Sequence, residues 1–596
     1  MRYLLVLSAE TEDATQQSEV LGEAHQLAEL GGLDVVDARI TEELAQKALD
    51  RGDLTTARGA LTELVGREEG KRQRLAFDPL LRQQWFADSL GCYRRLLRVA
   101  ALQHDPLLAL DCAERMRSRA LLDQLAWRKV DMALRLPPGL RGRLAALREA
   151  RRQAYALLQQ ALGSPASGDG EGRGIYIPIR GPLESDQPSA LGDAAGLRVL
   201  IESLAQEEAA LESAVREAVP AYQAAAGTPI PTGGDVKRAL ARDPSLLVLE
   251  YTLSDQGVVL LGLRSGRTPT VWLIKESGET VWEHVGKFRE LIWKRQGEAQ
   301  KEGQWLYSKL VSPMVPLLIG ARRLWIVADG ALQLVPFGAL QDITGEYLAS
   351  RVALACTPSL SLALSSRGGR PPTAGTSALI VAAPATGAPE AGGDERGLYL
   401  PIRGMYLPIR GEDGASDALT SMAIVALPGA RAEGQAVAKL FPGSRILTGA
   451  EATKEALLIQ GSQCDVVHIA THGYADPDIP EFSGLLCAGT GGKPYEVLTA
   501  QEVYLWNLQA RLVTLSACQT GLGKTIEGEG LLGLTRAFIY AGAQDVVCSL
   551  WPVSDESTQK LMEAFYANLK TAGSVEEALT QAQRTLLQDE KTKHPF

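Results

Sequence analysis

The run "DVVHIATHGYAD", residues 465–476, sets His468 and His472 four residues apart in a chain with six histidines. As a helix it would align Cys464, His468 and His472 on one face, a spacing that suits zinc. The residues favour a strand instead, because Val466, Val467 and Ile469 are β-branched and apolar and Gly473 closes the run. A strand spreads those three side chains over about 26 Å, too far for one ion. The Glu of an H-E-x-x-H metallopeptidase is also replaced by Ile469. We therefore expect no metal and no cofactor. His472 falls at the strand end, with Gly473 opening a loop, and is the candidate base. His468, about 13 Å back on the same strand face, is expected to be a buried, hydrogen-bonded support.

Three similar runs surround this one: "SALIVAAP" (377–384), "RLVTLSACQTG" (511–521) and "AQDVVCSLWPVSD" (543–555). Amphipathic segments such as "ARAEGQAVAKLF" and "GEGLLGLTRAFIYAG" lie between them and read as helices. Apolar strands alternating with helices imply a mainly parallel sheet covered on both faces. Upstream, "SLLVLEYTL", "GVVLLGL" and "TPTVWLI" read as a meander, and "RLWIVADGALQLVPFGAL" as strand, turn and helix.

Sites in open α/β sheets form at the carboxyl ends of strands. Cys518 ends one run as His472 ends another. Brought side by side, imidazole would favour the thiolate, the thiolate would attack a carbonyl, and the imidazolium would protonate the leaving amine. The segment "CQTGLGKT" imitates a phosphate loop, but Cys518 stands where its first Gly is needed, so Lys524 reads as part of a glycine-rich loop.

At 596 residues the chain exceeds one ordinary core. Residues 1–130 have helical spacing, and "ALDRGDLTTARGALTELV" (48–65) has the texture of a tetratricopeptide hairpin. "HDPLLALDCAERMRSRALLDQLA" (104–126) repeats it, but Ala57 and Ala109 are 52 apart, not the 34 of that repeat. A long charged helix pair is expected over 131–234, interrupted by a loop at 163–195, with the α/β domain over 235–596. A net charge of −10 argues against direct nucleic-acid binding. No segment has the length of apolar sequence that a membrane helix needs, and the start lacks a secretory leader, so a cytoplasmic protein is expected. Seven cysteines without a C-x-x-C pair fit a reducing compartment.

The segments "VVHIATHG", "LSACQTGLGK", "GEGLLGLTRAFIYAGAQDVVCSLWPVSD" and "LMEAFYANL" together resemble the CHAT domain, a caspase-like peptidase domain also similar to separase and often joined to tetratricopeptide helices. "VADGALQLVPFGAL", "TPSLSLAL" and "AERMRSRALLDQLA" extend the resemblance upstream. It implies a cysteine endopeptidase with Cys518 as nucleophile, His472 as general base, and the N–H groups of Gly473 and Cys518 holding the oxyanion. It further implies that Asp555, in "LWPVSD", selects arginine at the cleaved bond by bidentate pairing. The alternative is that Ser554 or Asp555 merely caps the next helix. The family runs on past an "HP" motif to a final strand, whereas the sequence ends at Phe596, so that strand is expected to be missing. Similar layouts cut partner proteins in bacterial defence and cell death, with the helices receiving an activating protein partner. A scaffold that binds proteins without cutting is the rival reading.

The motif Tyr-Ile/Leu-Pro-Ile-Arg-Gly occurs at 176–181, 399–404 and 406–411. Either a repeated DNA segment entered loops that tolerate length, or these are self-cleavage sites after Arg180, Arg403 and Arg410.

Overall fold

The computed structural model describes residues 34–74, 79–117, 232–254, 256–365, 376–385, 427–474, 483–517, 524–526, 530–550 and 555–589, with a few isolated positions besides. Cys518, the loop at 163–195 and Arg180, Arg403 and Arg410 lie outside them.

The chain begins with two helical hairpins, α1 (Asp34–Asp50) with α2 (Leu54–Arg74), and α3 (Pro79–Leu102) with α4 (Pro106–Arg115). Their turns are built alike. Gly52 and His104, 52 positions apart, both take positive φ (74° and 53°), and the following aspartates cap the next helices. The Asp53 carboxylate accepts from the Thr56 N–H, and that of Asp105 from Leu108. Ala57 and Ala109, the small residues matched in sequence, are both fully buried. Helix α5 (Gly233–Ala241) leads into β1 (Leu246–Ser254), β2 (Gly257–Arg264) and β3 (Thr270–Ile274), the expected meander.

Helices α6 (Gly278–Trp293) and α7 (Ala299–Leu310) precede β4 (Arg323–Val327), and β5 (Ala353–Thr357) then completes a sheet in the order β3-β2-β1-β4-β5. The "ALQLVPFGAL" part was expected to form a helix; it forms short 3-10 turns at Gly330–Leu334 and Phe337–Ala339. Pro336 between them lacks the N–H that a continuous helix would use.

The alternation of β1 sends Val248 towards α3 and α4, and Leu247, Leu249 and Tyr251 towards α6 and α7. The hairpins and the first sheet therefore share one hydrophobic core.

A short helix, α8 (Leu360–Ser365), leads to a second sheet made of β6 (Ala378–Pro384), β7 (Arg445–Gly449), β8 (Val466–Ala470), β12 (Leu512–Ser516) and β15 (Asp545–Cys548), in the order β15-β12-β8-β6-β7. Every pairing in it is parallel. Helix α9 (Pro428–Leu440) fills the β6–β7 crossover, and α10 (Lys454–Gly461) the one to β8. A small antiparallel sheet of β9 (Gly473–Tyr474), β10 (Gly484–Ala488) and β11 (Tyr495–Thr499) is inserted after β8, followed by α11 (Ala500–Tyr504). After β12 come the hairpin β13 (Lys524–Ile526) and β14 (Gly530–Leu532), helix α12 (Leu534–Ala541) and β15. Lys524 thus opens a strand, not a loop. The segment "GEGLLGLTRAFIYAG" is helical only from Leu534, after Gly533 at φ 151°; the glycines before it disfavour helix.

Helices α13 (Asp555–Leu569) and α14 (Val575–Leu587) close the described chain. Helix α14 binds the two sheets together: its Glu576 pairs with Arg323 of β4, and Arg584 donates to the Ala349 carbonyl at 2.9 Å. The α/β region therefore holds two five-stranded sheets. Hydrophobic patterning shows that a run is a strand but not which strands it joins.

Candidate active site

Strands β8 and β12 are parallel neighbours with Ala470 opposite Ser516 at their carboxyl ends. Two residues beyond each lie His472 and, in sequence, Cys518. His472 is half-buried, and its carbonyl accepts from the Leu486 N–H at 3.0 Å. The Thr471 hydroxyl donates to the Leu486 carbonyl at 2.7 Å, so β10 clamps the chain just where β8 ends.

Gly473 was expected to open a loop; it starts β9 and pairs with Leu485. The bond from Leu486 N–H to His472 carbonyl makes Gly473–Leu485 a non-hydrogen-bonded pair. The Gly473 N–H consequently points away from β10.

Beneath this end, His468 is fully buried. Its Nδ1 is 3.1 Å from the Tyr566 hydroxyl, which donates to Thr514 at 2.8 Å. One chain of contacts thus joins β8, β12 and α13, fixing the two strands relative to each other. Burial pushes the Tyr566 hydroxyl pKa up, so it stays a donor. On the other ring edge, Nε2 lies 3.1 Å from Glu433 Oε1, within ion-pair range but without hydrogen-bond alignment. This is the support role expected of His468. Cys464 lies before β8 with its Sγ on the Gln460 carbonyl at 3.3 Å, turned into its own helix end.

On the cysteine side, Ala517, the last described residue before Cys518, is buried, and its carbonyl accepts from the Ser549 hydroxyl. Ser549 and Leu550 follow β15 and begin the "SLWPVSD" run to Asp555, which is the first residue of α13. The sequence reading did not single out Ser549, and a serine beside an apolar strand gave no signal.

The other described thiols are unlike a nucleophile. Cys92 and Cys487 are pushed up to about 12 by burial, and Cys112, Cys464 and Cys548 are raised for the same first reason. Cys356, whose residue reaches the surface of the edge strand β5, is also pushed up to about 12 by the packed surroundings of its thiol.

Residues 300–596 match the CHAT domain family model, and the chain carries a CHAT domain there, preceded by tetratricopeptide-like helices. It is similar to tetratricopeptide repeat protein 28 of Homo sapiens and of Mus musculus, each 27% identical over 334 residues. Those alignments span 49% of this chain and 12% of each relative. Two crystal structures of the Saccharomyces cerevisiae separase–securin complex overlay it with TM-scores of 0.34 and 0.38 at 9% identity. They cover 98% of this chain and 47% and 46% of theirs. No helix among the described residues is long and apolar enough to cross a membrane.

Proposed function

We propose that the protein is a cysteine endopeptidase in which Cys518 is the nucleophile and His472 the general base. The observation that carries this reading is the register of β8 and β12: parallel neighbours whose paired ends, Ala470 and Ser516, each stand two residues short of those side chains. His472 would draw the thiol proton, the thiolate would attack the scissile carbonyl, and the imidazolium would protonate the departing amine. The Gly473 N–H, directed away from β10, supports an oxyanion role shared with the N–H of Cys518. Asp555 would pair with an arginine before the cleaved bond. Substrates are partner proteins and, after Arg180, Arg403 and Arg410, the chain itself. The helical region would receive an activating protein in defence or cell-death signalling in the cytoplasm.

The test compares the full chain with Cys518→Ala on denaturing gels, with fragments mapped by mass spectrometry. Cuts after Arg180, Arg403 or Arg410 that vanish in the variant are expected. Cuts that persist in it would remove Cys518 from the mechanism. A second reading, a scaffold that binds without cutting, is favoured by the similarity to a protein named for tetratricopeptide repeats. It predicts an intact chain and no hydrolysis of arginyl peptides even with a bound partner.

A further inference from the structure

Helix α6 belongs to the first sheet, where Val281, Val285, Phe288 and Ile292 are buried in its core. Arg289 leaves that helix beside this stripe, and its Nη2 donates to the Leu550 carbonyl at 2.9 Å, across 261 positions of sequence. The next residue back, Ser549, donates through its hydroxyl to the Ala517 carbonyl. Two consecutive residues are thus pinned, one to α6 and one to the residue preceding Cys518.

Arg289 makes no ion pair among the described residues, and burial lowers its pKa to about 10. Its Nε and, one turn on, Trp293 Nε1 are buried without an acceptor among those residues. An arginine kept in such surroundings for one carbonyl is costly. Among the described residues the Leu550 carbonyl is the acceptor that this buried cation reaches.

We propose that Arg289 is a positioning residue: it holds the Ser549–Leu550 corner and, through it, the arginine pocket that the proposed function places at Asp555, five residues further on. The inference rests on that reading for its pocket half. The hold itself stands on the two hydrogen bonds.

The test uses the full chain with Arg289→Met and Arg289→Lys. Hydrogen exchange followed by mass spectrometry should show peptides containing Ser549 and Leu550 exchanging faster in Arg289→Met, with β8 and β12 unchanged. For an arginyl peptide, Arg289→Met should raise KM about tenfold with kcat within about twofold, a loss of roughly one hydrogen bond to a charged group. Arg289→Lys, which keeps one charged donor, should recover part of it. A general loss of stability would instead lower apparent kcat, through a smaller folded fraction, with KM unchanged, and would speed exchange throughout. Unchanged exchange at Ser549 and Leu550 overturns the hold, and unchanged KM overturns the pocket half. If the parent chain cuts no arginyl peptide even with a bound partner, the protease reading fails and the pocket half falls with it, while exchange still decides the hold.

Discussion

The two five-stranded sheets each bury an acidic or basic residue on their middle strand, Glu250 on β1 and His468 on β8, and treat it differently. His468 has Tyr566 on one ring edge and Glu433 on the other, and its contacts run on to Thr514 of the neighbouring strand. Among the described residues neither Glu250 carboxylate oxygen has an aligned hydrogen bond; Arg117 Nε lies 3.6 Å away, likewise without an aligned acceptor, and the Glu114 carboxyl stands close enough to raise the Glu250 pKa. Arg117 Nη2 donates to the Tyr251 carbonyl and the Thr252 hydroxyl, while its Nη1, like Nε, has no aligned acceptor among the described residues. Nearby, Glu114 of α4 accepts from the N–H groups of Leu360 and Ser361 at 2.9 and 2.6 Å. His468, hydrogen-bonded on one ring edge and facing a carboxylate on the other, lies under the candidate site and keeps two strands in register. Glu250, with neither oxygen in an aligned bond among the described residues, lies at the seam between helical hairpins and sheet. A site needs a rigid floor; a seam that tolerates buried, poorly paired charge is held together less firmly than its buried area suggests.

The largest effect expected across this divide is chemical. Cys518→Ala or His472→Ala should lower hydrolysis of an arginyl peptide by at least about a thousandfold with little change in melting temperature. Kinetics and calorimetry on the same samples check this. Loss of both activity and stability would make the pair structural.

Next, Arg117→Met should destabilise the seam by about 3–5 kcal/mol, the cost of stranding buried carboxylates. Denaturant titration measures it. A cost below about 1 kcal/mol would show that the seam does not depend on this cation.

Acidity separates the sheets further. Burial, then the charge of Glu114, holds the Glu250 carboxyl well above the usual range, opposed by Arg117. A folded-state pKa above the unfolded value means that its stabilising contribution is complete below the ordinary carboxylate range and is lost as pH rises through the folded value. Glu250→Gln should therefore gain stability relative to the parent as pH rises above the ordinary carboxylate range. A difference that stays constant over that rise would overturn the assignment.

What the sequence disclosed follows the same boundary. The strands of the second sheet were legible because β-branched runs such as "DVVHIA" bury on both faces, and His468 read as a support because strand spacing kept it from His472. The sharing of a core between "ARGALTELV" and β1 was not legible, since Val248 and Leu249 look alike as letters though one faces the hairpins and the other faces α6. Glu250 within "LLVLEYTL" read as an ordinary strand residue; its partner Arg117 is 133 positions earlier, beyond any local pattern. Nor could Arg289 be paired with Leu550, because a carbonyl acceptor leaves no trace in side-chain identity.

The smallest effects test whether the sheets are energetically separate. Tyr566→Phe removes the hydroxyl linking His468 to Thr514 and should cost about 1–2 kcal/mol. In the first half, Thr232 caps α5 by accepting from the Asp235 N–H at 3.2 Å, while the Asp235 carboxylate accepts from the Thr232 N–H at 2.8 Å. Thr232→Ala should cost about 1 kcal/mol. Val236 and Leu240 carry that loss into the core shared by hairpins and first sheet. The two sites share no partner among the described residues, so in the double variant their costs should add within about 0.5 kcal/mol. A coupling energy above about 1 kcal/mol would mean that the seam and the floor of the site unfold as one unit. Helix α14, through Glu576 and Arg323, would then be the first place to look for the connection.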